Sequence, residues 1–292
     1  MSEAAPGAWA LLVMAYGSPE RPEEILPYYT DIRRGRPPTP ELLAELEARY
    51  AAIGGSPLNA LTRQQAEALA KAASERLGVR FVPYVGMRHW HPRIAAAVEQ
   101  IVRAGHSRAV ALVMAPQYSR MSVEVYLETA RQAAAGTGLE LITVPQWYDA
   151  PGYVAFMAER VREAIERLPA AERGDAVVLF TAHSLPERIT TWDDPYPAQV
   201  EATARAVAER AGVTAWRCAY QSAGRTPEPW LGPDLSETLA SCRREGRRAA
   251  VVCPVGFVAD HLEVLYDIDI EAQATARELG IHLERARSMN TD

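Results

Sequence analysis

Short runs of consecutive apolar residues alternate along the chain with longer stretches in which apolar positions recur at helical spacing. The runs at 9–15, 81–85, 109–114 and 139–144 predict strands in the first half, and those at 176–181, 214–219 and 249–253 predict strands in the second. The periodic stretches predict helices at about 40–52, 60–77, 93–104, 122–135, 151–168, 196–211, 234–245 and 261–279. A strand that is apolar on both faces must be covered on both faces, and helices between successive strands supply that cover. The expected class is therefore α/β, with largely parallel sheets and right-handed crossovers. Each half opens alike, LLVMAYGSPE at 11–20 and VVLFTAHSLPE at 177–187, an apolar strand running into a small-polar turn. The parallel predicts two similar domains, 1–150 and 151–292, joined near 147–152 and separated by a cleft. Ligands of open α/β sheets bind beyond the carboxyl ends of the strands. That rule gathers Tyr16, Tyr118, His183, Tyr220 and Gly256 around the cleft, while the Pro-rich segments 37–40 and 226–233 are expected as loops.

Composition narrows the function. The 292 residues are 48% hydrophobic and 23% charged, enough for one large or two medium domains. A formal charge of -6 disfavours nucleic acid, whose phosphates call for a basic surface. No apolar run approaches the roughly 20 residues of a membrane span, and Glu3 stands where a signal peptide carries positive charge, so a cytoplasmic protein without an integral membrane segment is expected. Lys71 is the single lysine, and neither a P-loop nor a G-x-G-x-x-G string occurs, which removes the usual nucleotide cradles. Cys218, Cys242 and Cys253 are too widely spaced for a zinc knuckle or a disulfide framework, and they fall short of the thiolates of an iron–sulfur cluster.

Three groups of residues bear chemistry. His183 follows an entirely apolar run, where its imidazole can project into a cleft as a base or metal ligand, or be a core histidine bonded to a carbonyl. A Ser-His reading with Ser184 lacks a nucleophile elbow. In the stretch 260–271, Glu263, Asp267 and Glu271 recur every four positions on one helix face, forming a ladder of oxygen donors about 12 Å long. The alternative is a solvated face or a complement to the helix dipole, which reaches Asp260 and Glu263 but not Glu271. No Lys or Arg lies between Asp260 and Arg277, so a cation, or basic residues from elsewhere, must relieve their repulsion. Finally, Tyr28, Tyr29, Arg33, Arg34 and Arg36, with Arg49 and Tyr50 beyond, suit a flat acidic ligand, or else form a surface face with ion pairs.

The strings LLVMAYGSP, YYTDIRRGRPP, RYAAIGGSPLN, TAHSLPERI, DPYPAQ, YQSAGRTPEPWLGPD and PVGFVADHLEVLYDIDIEA, in that order, resemble the ferrochelatase family, most of all the bacterial coproporphyrin III ferrochelatases. The resemblance implies two Rossmann-like, chelatase-type domains and insertion of Fe(II), as substrate metal, into a porphyrin, with coproporphyrin III favoured. It implies that His183 and Glu263 are the catalytic, metal-handling pair, with Asp267 and Glu271 as an outer metal site. Tyr16 would face the macrocycle as an axial contact to iron, and Arg33, Arg49, Tyr50, Ser56 and Tyr126 would contact propionates or ring edges. His89 matches a family histidine but, like His91, receives no role. A monomer without an iron–sulfur cluster is expected. The alternatives are a cobalt or nickel chelatase of another tetrapyrrole and a non-catalytic haem carrier.

Overall fold

The structure, a computed structural model, describes residues 7–292. Glu3, used above in the argument about signal peptides, lies outside the described residues. The first half runs β1 (Trp9–Ala15), α1 (Ile25–Ile32), α2 (Pro40–Ala52), α3 (Leu58–Leu77), β2 (Phe81–Met87), α4 (Ile94–Arg103), β3 (Arg108–Val113), α5 (Val123–Ala134) and β4 (Glu140–Val144). The second runs α6 (Pro151–Arg167), β5 (Val177–His183), α7 (Tyr196–Ala211), β6 (Trp216–Gln221), α8 (Leu235–Arg244), β7 (Ala249–Cys253), α9 (Leu262–Leu265), a π turn (Asp267–Ala272), α10 (Gln273–Leu279) and β8 (His282–Arg285).

All strand pairs are parallel, in the orders β2-β1-β3-β4 and β6-β5-β7-β8, so the halves share one topology. The apolar runs are continuous because the central strands are covered twice. Ala10, Leu12 and Met14 of β1 face α4 and α5, whereas Leu11 and Val13 face α3. In the second sheet, Val178 and Phe180 pack on α6 and α7, and Val177 and Leu179 pack toward α8 and α10. Each of the Val, Leu, Met and Phe side chains among these, withdrawn from water, contributes about 1.5–3 kcal/mol. In register, Leu12 lies between Tyr84 and Ala111, and Leu179 lies between Arg217 and Val252.

The differences from the sequence reading have local causes. β5 continues to His183, which is thus the last strand residue rather than one beyond it. Tyr220 lies inside β6 and is buried, so it does not stand at a strand end facing the cleft. Strand β8, an edge strand of sequence HLER, was not expected, because its charged positions hide the alternation. Helix α1 was missed as well; Pro22 starts a short 3-10 turn leading into it, and Pro27 sits within its first turn. The single helix expected at 261–279 is three pieces, one α turn, a π turn and α10, with His261 extended ahead of it.

Candidate active site

The carboxyl end of β5 fixes His183. Ser184 N–H donates to the Gln221 carbonyl of β6 (2.7 Å), the Tyr196 hydroxyl donates to the His183 carbonyl (2.8 Å), and the Ser184 hydroxyl donates to the Leu231 carbonyl (2.8 Å). The His183 Nδ1–H is committed to the Ser184 carbonyl, which turns Nε2 outward. The chain after β7 then crosses the end of β5. A Cβ on Gly256 would sit 2.7 Å from Ala182 Cα, so only glycine permits this approach. The crossing delivers Glu263, whose Oε1 lies 3.4 Å from His183 Nε2 and whose Oε2 lies 3.5 Å from His261 Nε2. His261 Nδ1 is bonded to the Ala259 carbonyl, and the Glu263 carbonyl accepts from the Gln221 side chain at 2.6 Å. One carboxylate is thereby held between two imidazoles.

Burial alone would lower the His183 pKa, but the Glu263 charge and hydrogen bond outweigh it and raise it to about 9. Burial likewise opposes ionisation of Glu263, yet His183 and then His261 hold its carboxyl well below the usual carboxylate range. Asp267 is pushed up to about 6, first by burial and then by Glu263. The pair is thereby favoured as imidazolium and carboxylate at neutral pH.

The acidic ladder is not left without basic partners. Arg49 of α2 reaches Asp267 (3.7 Å), Glu271 (3.4 Å) and Glu45 (3.2 Å), with its guanidinium 4.8 Å from the Tyr266 ring centroid. The Ser222 hydroxyl bonds Asp267, and Asp269 turns away to Arg285. Among the described residues, no three His, Cys, Asp or Glu side chains converge on a common point that would hold a metal ion. Of the four expected donors, His183 and Glu263 face each other, while Asp267 and Glu271 are joined through Arg49.

From the first half, Tyr16 leaves β1 with its ring 4.6 Å from that of His89, and it is 38% exposed. His89 bonds Asp31 at 2.8 Å, and Arg93 holds the same carboxylate. Gly17 has a positive φ of 87° and a built Cβ would lie 2.7 Å from Trp90 Cβ, so the turn carrying Tyr16 also requires glycine. Tyr126 of α5 is buried with the Arg88 guanidinium 5.3 Å from its ring centroid, and burial pushes its hydroxyl up to about 12. The Glu263 charge acts on the hydroxyls of Tyr126 and Tyr50, which places them in its neighbourhood. Tyr50 is buried, and its hydroxyl meets Ser18 at 3.1 Å, bracing the turn beyond Tyr16. The Arg33 Nε is buried and has no hydrogen-bond partner, a donor suited to an anion. Ser56 lines a solvent-open hollow with Gly54, Gly55, Asn59 and Arg63.

Buried polar bonds tie the halves together: Gln117 donates to Thr203 (3.1 Å) and to the Val255 carbonyl (3.0 Å), Tyr118 N–H donates to Gln199 (2.7 Å), and Arg120 N–H donates to Asp194 (2.8 Å). Sequence reasoning missed His261, Gln221 and Arg88. Only the closeness of His261 to Glu263 along the chain signalled one of them.

The family model described as ferrochelatase matches residues 8–292. The chain is 49% identical to a protein of Thermus thermophilus named ferrochelatase, over 97% of this chain and 94% of that one. It is 47% identical to the coproporphyrin III ferrochelatase of Geobacillus thermodenitrificans, over 97% and 90% of the two chains. The identity is 44% with the protein of that name from Bacillus subtilis, over 96% and 92%. Among solved structures, the fold is similar to the cobalt complex of the sirohydrochlorin chelatase SirB from Bacillus subtilis subspecies spizizenii, with a TM-score of 0.52 and 13% identity over 95% and 87% of the chains. That likeness carries the two parallel sheets and their topology. By the length and identity of the sequence matches, the chain belongs to the ferrochelatase family, lyase-type metal chelatases that insert ferrous iron into a porphyrin in haem biosynthesis.

Proposed function

We propose that this chain inserts Fe(II) into coproporphyrin III, held between the two units 1–150 and 151–292, with His183 and Glu263 on the side from which protons leave and metal is handled. The observation that carries the reading is the 3.4 Å approach of His183 Nε2 to Glu263 Oε1, a nitrogen base and an oxygen donor presented together beside Tyr126 and Tyr50 of the other half. A porphyrin sheds its pyrrole protons as the metal enters, so a group must accept them. His183 is protonated at rest because of Glu263. A dication arriving on that carboxylate cancels the charge that raises the imidazole, so His183 releases its proton to water and the neutral imidazole can then accept a pyrrole proton. Asp267 and Glu271 stand along the same segment as stepping points for the metal, with Arg49 as the charge it displaces. Tyr16 faces the ring as an axial contact. The unpartnered Arg33 Nε, Arg49, Tyr50, Ser56 and Tyr126 serve the propionates and ring edges.

Coproporphyrin III is favoured over protoporphyrin IX because it carries more propionates, and because relatives at 44–47% identity bear its name. The reading needs no iron–sulfur cluster. It places the reaction in the cytoplasm and in a single chain; among the described residues no helix is long and apolar enough to cross a membrane. The test is anaerobic insertion of Fe(II) with coproporphyrin III and protoporphyrin IX side by side. Faster metallation of coproporphyrin III is expected. No acceleration over an enzyme-free control with either porphyrin overturns the function, and a preference for protoporphyrin IX overturns the substrate.

A further inference from the structure

Arg285, the last residue of β8, stands behind the segment that presents Glu263 and Asp267. Its guanidinium grips Asp269 through two bonds, Nε to Oδ1 at 2.7 Å and Nη2 to Oδ2 at 2.9 Å, and reaches Asp260 Oδ1 with Nη1 at 3.2 Å. Asp260 stands just ahead of Glu263, and Asp269 just after Asp267. One mostly buried cation therefore ties both ends of the stretch that carries the two acids.

The anchor at Asp260 is reinforced by the chain beyond β8. The Ser288 hydroxyl donates to Asp260 Oδ1 (2.7 Å) and Asn290 Nδ2 to Asp260 Oδ2 (2.9 Å), while Asn290 Oδ1 accepts from the Asp260 N–H (2.8 Å). Asn290 N–H donates to the Val258 carbonyl at 3.0 Å. Gln65, on α3 of the first half, donates to both the Val258 carbonyl (2.9 Å) and the Asn290 carbonyl (2.7 Å).

The stretch between these anchors is not a regular helix: α9 is a single turn, Leu262–Leu265, and runs through a π turn into α10. A π turn departs from regular helical bonding, so bonds from outside help to fix where Glu263 sits: the Gln221 side chain on its carbonyl, and the contacts that hold the two ends. Asp267 and Asp269, two residues apart, leave on nearly opposite faces, one to Ser222 and Arg49, the other to Arg285. Arg285 is thus on the far side from the His183–Glu263 pair.

We propose that Arg285, bracing Asp260 and Asp269 at once, is a positioning residue that sets where Glu263 and Asp267 meet the incoming metal. The proposal rests on the metal-handling role given to Glu263 above. A planar fork is required to serve two carboxylates, so lysine supplies the charge without the geometry.

The test is steady-state insertion by Arg285→Gln and Arg285→Lys, with Fe(II) varied at saturating porphyrin and porphyrin varied at saturating Fe(II). In Arg285→Gln the Fe(II) concentration for half-maximal rate should rise about 10- to 100-fold, the range seen when groups that orient metal ligands are lost. The porphyrin half-saturation should be unchanged, and Arg285→Lys should recover only part of the loss. Asp269→Asn should raise the Fe(II) requirement in the same way and add nothing to Arg285→Gln, since both cut one link. Should Arg285→Gln fail to fold, Asp269→Asn carries the test alone. Equal shifts in the Fe(II) and porphyrin requirements, or no shift in folded variants, overturn the proposal. Glu263→Gln separates the two claims. If it still inserts iron, the underlying reading falls; if it is inactive while folded Arg285 and Asp269 variants keep the parental Fe(II) dependence, only the role of Arg285 falls.

Discussion

Replacing Glu263 by glutamine removes a charge 3.4 Å from His183 Nε2 while nearly preserving shape. At that separation, unit charges attract by about 1 kcal/mol in a water-like medium and about 5 kcal/mol at an effective dielectric of about 20. This corresponds to roughly one to three and a half pK units on the imidazole. The rise of His183 from 6.5 to about 9 falls inside that range. In Glu263→Gln, burial acts against the charged imidazole and only the Ser184 carbonyl and Asp267 still favour it, so His183 should titrate well below 9. Imidazole resonances of the six histidines, assigned by a His183→Gln spectrum and followed with pH, measure this directly. The sign also fixes a stability profile. A raised histidine pKa gives stability that is full below 6.5 and lost as pH rises through about 9, and the depressed Glu263 gives stability present above 4.5. The parent should therefore outlast Glu263→Gln in thermal melts most clearly between 4.5 and 6.5, with the gap closing by about 9. A parental His183 that titrates near 6.5, or a variant in which it still titrates near 9, refutes the account of the pair.

Two further outcomes follow from neighbouring residues. Gly256→Ala places a Cβ 2.7 Å from Ala182 Cα, a backbone atom that cannot swing aside. Denaturant melts should show a loss of about 1–3 kcal/mol, and insertion should fall because the loop shifts Glu263; parental stability and rate would refute the steric role of the crossing. Arg49→Leu removes the cation that lowers Asp267, so the acid to neutral limb of the insertion rate, set by a group near 6, should move to higher pH; an unmoved limb would uncouple Asp267 from turnover.

What could be read in the sequence was whatever is written locally. β1, β5 and β7 announce themselves because both of their faces are covered, and His183 because it ends such a strand. β8 was hidden by its edge position, where only one side is paired and charges are tolerated. The helix expected at 261–279 satisfied the helical period throughout, yet its geometry is decided by partners remote in sequence: Gln221 on the Glu263 carbonyl and Arg285 on Asp269. Arg49 stands 222 residues from Glu271, so no spacing rule reveals that a residue expected at the porphyrin also neutralises the ladder. His261 carries no period of its own, and only the fold shows it sharing a carboxylate with His183.

Under the route proposed for the metal, the absence of a closed ligand cage among the described residues has a kinetic meaning. A closed ligand cage binds tightly and releases slowly, which suits an ion that must stay. Weak dwelling points in succession give each ion a short stay and a downhill direction once a stronger chelator waits at the end. A tetrapyrrole, with its ring of nitrogens, is such a chelator, and on the proposed route a protein that feeds it does best by never holding the iron well.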